Sequence, residues 1–261
     1  MISILQLGTI DYATGLRLQE QLVSLRKEGR ITDTLLLLEH TPVITLGRNA
    51  HARNILASPE FLADRGVEVF ECNRGGDVTF HGPGQLVAYP IFDLRGFPSQ
   101  SLNRNTMGVL EFVRNLEEVL IRTCAEFEIP TKRIAGLTGV WTDESGNTAE
   151  AKIAALGVHI SRGVTSHGIA LNVNSDLSYF DLIVPCGISS KRVTSISKEL
   201  ARQIPLQDVA HALARSFGQV FKSQILWLES IEALVGNNLG IPVRPPENLR
   251  RIHSDDDTAW A

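Results

Sequence analysis

Alternation and helical spacing of apolar residues divide most of the chain into short elements. Residues 3–7 read as a strand. Asp11 then offers a side-chain cap to a helix ending near Glu28, because Leu18, Leu22 and Leu25 recur at the i, i+4, i+7 spacing of one helical face and Gly29 follows as a stop. Residues 34–39 contain four consecutive leucines between polar neighbours, the pattern of a strand covered on both faces, and a second strand at 43–46 follows a Thr41-Pro42 turn. His40 and Arg48 stand at the ends of these strands and are expected to be exposed there.

Residues 50–66 predict a loop and a short helix, and 67–70 another strand. An apolar strand over 86–92 contains Pro90, which cannot donate to a ladder and so points to an edge or a bulge. From about 102 to 127 the period becomes helical, with Val109, Val113, Leu116, Leu120 and Cys124 on one face and Pro130 beyond the end. On that face Cys124 is a core residue. Two strands, 139–142 and 151–160, flank a polar turn at 143–147, and 169–173 forms a further strand. A helix over 206–221 carries Leu206, Val209, Ala210, Leu213, Phe217 and Phe221 on one face, with Pro205 suited to its first turn. Strands grouped in the middle with helices between them predict an α+β fold with a mixed, mostly antiparallel sheet. The chain divides into a domain over residues 1–222 and an extension over 223–261, helical at first and tail-like from 237, where Asn, Gly, Pro and charged residues dominate.

Composition narrows the class. With 43% hydrophobic and 21% charged residues among 261, the chain has the balance of an ordinary globular protein. A net charge of -4 supplies no overall basic field for nucleic acid. Cys72, Cys124 and Cys186 are an odd number without a C-x-x-C pair, which suits a reducing compartment and makes neither a disulfide framework nor a zinc site. The N-terminus lacks a basic segment followed by a long apolar one, and no apolar run approaches the ~20 residues of a membrane span. A cytoplasmic protein with no membrane and no nucleic-acid partner is expected.

Candidate chemistry begins at Arg74-Gly75-Gly76-Asp77-Val78-Thr79-Phe80-His81-Gly82-Pro83-Gly84-Gln85. Glycine at this density lets another group approach the backbone, as in a ligand-binding wall; a pair of tight turns around a short strand has the same signature. Cys186 lies between Pro185 and Gly187, in a turn that either presents a thiol beside backbone N–H groups, as a nucleophile requires, or buries a small residue. An ordinary thiol of pKa ~8.5 is only about 3% ionised at pH 7, so a nucleophilic role needs a cationic or basic partner. Lys152, His81, His159 and His167 are the candidates. Lys152 opens an apolar strand, where it is either a solvated strand-end residue or a group that lowers a thiol's pKa and shuttles protons. Phosphate loops, dinucleotide fingerprints and two-His zinc helices are absent from the sequence, so neither a cofactor nor a metal is expected.

Three separated blocks, spanning about residues 30 to 200, together resemble the lipoyl(octanoyl) transferases. These enzymes move an octanoyl group from acyl carrier protein to lipoyl domains. The first block is the glycine-rich stretch with Leu86 and Val87 after it. The second is Lys152-Ile153-Ala154-Ala155-Leu156-Gly157-Val158 with His167-Gly168-Ile169-Ala170-Leu171-Asn172-Val173-Asn174, and the third is Pro185-Cys186-Gly187-Ile188 with Val193-Thr194-Ser195. The resemblance implies the fold of lipoate and biotin protein ligases, and a catalytic domain over residues 1–222. It implies an acyl-thioester cysteine at Cys186 and a lysine, Lys152, that lowers its pKa. Arg74, Gly75, Gly76, Asp77, Val78, Thr79, Phe80 and His81 would line the acyl site, with Ala155, Leu156 and Gly157 and with Gly168, Ile169 and Ala170. Octanoyl-acyl carrier protein would be the donor, and lipoyl domains of 2-oxoacid dehydrogenase E2 subunits and the glycine cleavage H protein the acceptors. Lys132-Arg133, Lys191-Arg192 and Arg48 with Arg53 are the candidate clusters for docking acidic partners. Gly76→Val is expected to obstruct the acyl pocket. Competing readings are an ATP-dependent lipoate or biotin ligase, which needs no nucleophilic cysteine, a non-catalytic lipoyl-domain-binding module, and a cysteine hydrolase.

Overall fold

Residues 1–100, 104–143, 150–184 and 192–235 are described by a computed structural model of the protein. β1 (Ile2–Ile10) leads into α1 (Tyr12–Lys27), β2 (Asp33–His40) and β3 (Val43–Leu46), followed by α2 (Pro59–Asp64), β4 (Glu68–Glu71), β5 (Val78–His81) and β6 (Gln85–Ile91). Next come α3 (Val109–Ala125), β7 (Thr131–Ile134), β8 (Leu137–Thr142), β9 (Ala151–Ser161) and β10 (Val164–Asn172). β11 (Arg192–Val193), α4 (Ile196–Leu200), α5 (Leu206–Val220), β12 (Ile225–Leu228) and α6 (Ile231–Val235) complete the described chain. The large sheet runs β12-β1-β2-β6-β10-β9-β8-β7 with β11 beside β9, and a small sheet has the order β4-β3-β5. Only β12–β1, β1–β2, β11–β9 and β3–β4 are parallel among these pairs, so the sheet is mixed and mostly antiparallel, as the sequence predicts. No helix among the described residues is long and apolar enough to cross a membrane.

The four leucines of β2 sit at the centre of this arrangement. Leu35 and Leu37 face a core shared with α3 and α5, while Leu36 and Leu38 face one shared with α1, and none of the four is more than 2% exposed. Burial on that scale is worth roughly 2 kcal/mol per leucine, an upper estimate, and explains why an uninterrupted apolar run is a strand here. α1 begins where the Asp11 carboxylate accepts from the Thr14 N–H (2.8 Å), and Gly29 leaves it at φ +71°.

Several expectations change. His40 is fully buried rather than exposed. Its Nδ1 lies 3.0 Å from the Ile10 carbonyl, which can only accept, so Nε2 is the acceptor for the Tyr89 hydroxyl at 2.7 Å. Arg48 is exposed, as expected. Pro90 lies in a central strand, paired with Leu35 of β2. The irregularity is in its other neighbour, where His167 of β10 takes φ +55° and the Thr165 hydroxyl bridges the gap, donating to Pro90 O (2.6 Å) and accepting from Phe92 N (2.9 Å). α3 starts only at Val109, and Val109 itself is 52% exposed; Phe112, Leu116, Val119, Leu120 and Cys124 form the buried face. Burial pushes the Cys124 thiol up to about 12, which makes it inert. Pro205 caps α5 rather than entering its first turn. The segment after 222, expected to be helical, opens instead with β12, which pairs in parallel with β1.

Candidate active site

β9 and β10 pair so that Gly157 faces Gly168 and Ala155 faces Ala170. These small residues share one face of the sheet and leave a trough along it. Simple alternation would put Lys152 on the opposite, core-facing side with Ala154. A bulge prevents this: Val140 of β8 pairs with Ala154 but Trp141 pairs with Lys152, so two steps on β9 match one on β8. The extra residue reverses the alternation, sends Ile153 into the core at 0% exposure, and brings Lys152 to the trough face. Its Nζ lies 5.3 Å from the Trp141 ring centroid, a cation–π contact. Gly139 (φ +130°) makes room, since a Cβ there would come within 2.5 Å of Lys152 Cε. The Gly139 N–H donates to Glu117, a fully buried carboxylate of α3 that also pairs with Arg114 and Arg133.

The glycine-rich stretch forms the facing wall. Arg74 is 7% exposed and donates to Thr45 O (2.6 Å), Thr45 Oγ1 and Gly75 O, which holds the turn against β3. The Gly75 N–H donates to Val158 O (3.0 Å), joining the turn to β9. Gly157 is required at that junction, because a Cβ on it would stand 2.6 Å from Gly75 O. Between wall and trough lies a cavity of about 70 Å³ that opens into a cleft of about 570 Å³. Gly76, Asp77, Lys152, Leu156, Gly157 and Val193 line both, so Lys152 stands where the two spaces meet.

Of the residues expected to line an acyl site, Arg74, Gly76, Asp77, Val78, Thr79, His81, Ala155, Leu156, Gly157, Gly168, Ile169 and Ala170 border the cavity, and Gly75 borders the cleft. Phe80 does not. It points behind the wall, stacked on Tyr179 with ring centroids 4.5 Å apart, because alternation along β5 turns it into the core of the small sheet. Tyr12, Tyr89 and Phe180, which carry no sequence signal, also line the cavity, as do Gln85 and Asn172, which stand in the motif blocks but outside the segments expected at the acyl site. Cys186 lies outside the described residues. Its flanks do not: the Val184 N–H donates to Asn54 O (2.7 Å), and the Asn54 side chain donates to Asp77 of the wall (2.8 Å). On the other flank Val193 pairs with Lys152, and the Thr194 N–H donates to Lys152 O (3.0 Å).

The cavity holds neutral histidines around a buried guanidinium. Burial first, then the neighbouring His40 and the Arg74 charge, lower His81 to about 3; burial and Arg74 do the same for His167. A base is most effective when its pKa lies near the working pH, so neither imidazole is suited to general base catalysis at neutrality. This disfavours a cysteine–histidine hydrolase.

Gly76 has φ +91°, and a Cβ there would meet nothing closer than Arg74 Nη1 at 3.5 Å. The cost of Gly76→Val therefore lies in backbone conformation rather than in obstruction, about 1–3 kcal/mol for a β-branched residue held at positive φ. We expect a lower urea midpoint. An unchanged midpoint would place the turn outside the folded framework.

The fold is the one found in lipoate protein ligases. Residues 11–218 match the family model of the lipoyl protein ligase A/B catalytic domain. An octanoyltransferase of Koribacter versatilis is 61% identical over 98% of this chain and 98% of its own, and one of Acidobacterium capsulatum is 60% identical over 88% and 94%. Among solved structures, that of a bi-partite lipoate protein ligase with its E2 lipoyl domain from Thermoplasma acidophilum superposes with a TM-score of 0.66 at 16% identity, covering 89% of this chain and 87% of that one. The chain belongs to the lipoyl protein ligase A/B family, among its octanoyltransferases.

Proposed function

We propose that the protein transfers an octanoyl group from octanoyl-acyl carrier protein to the lysine amine of lipoyl domains, in the cytoplasm, through a thioester on Cys186. The Cys186 thiolate attacks the donor carbonyl. The carbon–sulfur bond to the carrier breaks, and the carrier thiolate leaves with the proton of the Lys152 ammonium. The acceptor amine then attacks the octanoyl-Cys186 carbonyl, an amide forms as the second carbon–sulfur bond breaks, and the amine's proton passes to the now neutral Lys152, which restores the ammonium beside the Cys186 thiolate. Thioester exchange is near balance and amide formation drives the sequence, so ATP is not required. The alkyl chain occupies the trough of Ala155, Gly157, Gly168 and Ala170.

One observation carries this reading. The chain enters the Cys186 segment from Val184, tied through Asn54 to Asp77 of the wall, and leaves it at Val193, paired with Lys152. Docking of acidic partners falls to Arg192, Arg48 and Arg53, all exposed, with Arg192 on the lining of the cleft; Lys191, expected to act with Arg192, lies outside the described residues. Lys132-Arg133 is already committed to its own carboxylates, Lys132 to Glu150 (2.9 Å) and Asp143, and Arg133 to Glu117 and Glu118 (2.8 Å).

Mass spectrometry tests the scheme. Mixing with octanoyl-acyl carrier protein, without ATP, should add one octanoyl group to the Cys186 peptide, and a lipoyl domain should then remove it. Cys186→Ser should retain no thioester adduct and should lose more than about 1000-fold in turnover, the scale on which deleting a covalent nucleophile acts. Full labelling of another thiol in that variant would sink the proposal.

A further inference from the structure

Buried side chains on three strands form a continuous hydrogen-bonded line beside the cavity. His81 of β5, Gln85 of β6, Asn172 of β10 and Thr194 are 7%, 2%, 3% and 1% exposed. Asn172 Nδ2 lies 3.0 Å from Thr194 O, Gln85 Nε2 lies 2.9 Å from Asn172 Oδ1 and 3.2 Å from Phe80 O, and His81 Nδ1 lies 2.7 Å from Gln85 Oε1.

Two carbonyls set the direction of every bond. Thr194 O only accepts, so the Asn172 atom facing it is the amide nitrogen and the oxygen faces Gln85. Phe80 O also only accepts, which independently turns the Gln85 nitrogen toward Phe80 and Asn172 and the Gln85 oxygen toward His81. His81 must then carry its proton on Nδ1. Burial keeps the ring neutral, so Nε2 bears a lone pair. At the other end, the backbone of Thr194 joins that of Lys152.

We propose that Gln85 and Asn172 are positioning residues for the transfer reaction: they lock His81 as the Nδ1–H tautomer in the cavity wall and hold the strand carrying Thr194 against Lys152. The kinetic part of this proposal rests on the octanoyl-transfer reading, whereas the tautomer does not. Without Asn172, the Gln85 amide loses one of its two anchors and the Thr194 carbonyl loses its donor. Asn172→Asp separates these effects, because a carboxylate still accepts from Gln85 but cannot donate to Thr194.

The test uses the full chain, with nitrogen-15 shifts of His81 reporting the tautomer and pre-steady-state octanoylation of Cys186 reporting the rate. The unaltered protein should show Nδ1–H. Asn172→Leu should give a mixed or reversed tautomer and an octanoylation rate at saturating donor at least about 10-fold lower, because both the bond accepted from Gln85 and the bond donated to Thr194 O are lost, with the half-saturating donor concentration within about twofold. Asn172→Asp should keep the tautomer and still lose rate. An Nε2–H tautomer in the unaltered protein would overturn the relay, as would a wild-type rate in both folded variants. Failure of the unaltered protein to form any octanoyl adduct would overturn the transferase reading instead, and the His81 tautomer would then decide the relay alone.

Discussion

Lys152→Ala is expected to slow octanoylation of Cys186 at pH 7 by about 25-fold, the ratio of the thiolate fractions with and without a two-unit depression of the thiol. A cationic neighbour that lowers a thiol's pKa by about two units, worth about 2.7 kcal/mol, turns a small ionised fraction into the main form. Removing it returns the thiol toward its ordinary ~8.5. The bulge in β9, the room left by Gly139 and the Trp141 ring all direct this one side chain to the junction of cavity and cleft, where a solvated strand-end lysine would have no need of them. Iodoacetamide alkylation followed against pH, with the modified peptide identified by mass, measures the effect. Cys124 is silent in such an experiment because of its burial. Alkylation of Cys186 with the same pH dependence in Lys152→Ala would show that the thiol owes nothing to this lysine.

Acidification is expected to unfold the protein well above the pH at which its carboxylates titrate. Burial holds His40 at about 4 and His81 and His167 at about 3, against about 6.5 for an unfolded histidine. Between those values the unfolded chain binds protons that the folded chain refuses. The stabilisation is therefore complete above about pH 6.5 and is lost as pH falls toward the folded values. Each histidine contributes a slope of about 1.4 kcal/mol per pH unit, so three give about 4 kcal/mol per unit, comparable over two units with a typical total stability of 5–15 kcal/mol. His40 and His81 touch, with ring centroids 5.9 Å apart, so their contributions are not simply additive. Urea midpoints at pH 7.5, 6 and 5 should fall steeply. Coincident midpoints at pH 7.5 and 5 would mean that these rings are charged inside the folded protein.

Legibility in the sequence followed the range of the interactions involved. α1, α5 and β2 were readable because cap, stripe and apolar run are local, and the glycine-rich stretch announced a close approach before its partner strand was known. His40 was misread because what buries it is remote: the Ile10 carbonyl on one side and the Tyr89 hydroxyl on the other. β12 is a four-residue apolar run with no alternation to distinguish strand from helix, and its partner begins at Ile2. The predicted stripe of α3 included Val109 because spacing alone cannot reveal that the cap falls at Gly108. At the site, the three motif blocks point to the lining, but the bulge that turns Lys152 toward it arises from the register of β9 against β8 and leaves no mark in the β9 sequence. Gln85 and Asn172 stand in the motif blocks, but the bond between them joins two strands 87 residues apart in sequence, so spacing within either block does not reveal the line.

The hydrogen bond from Gly75 to Val158 O, and the close approach of Gly157 to Gly75 O, form a seam of peptide groups between the glycine-rich wall and the large sheet. Side chains in a pocket can be trimmed or enlarged one substitution at a time, but a seam made of peptide groups has nothing to trim. With that seam closing one bank of the cavity, a change in the cavity's size has to arise from residues with adjustable bulk elsewhere on the lining, such as Phe180 and Val193.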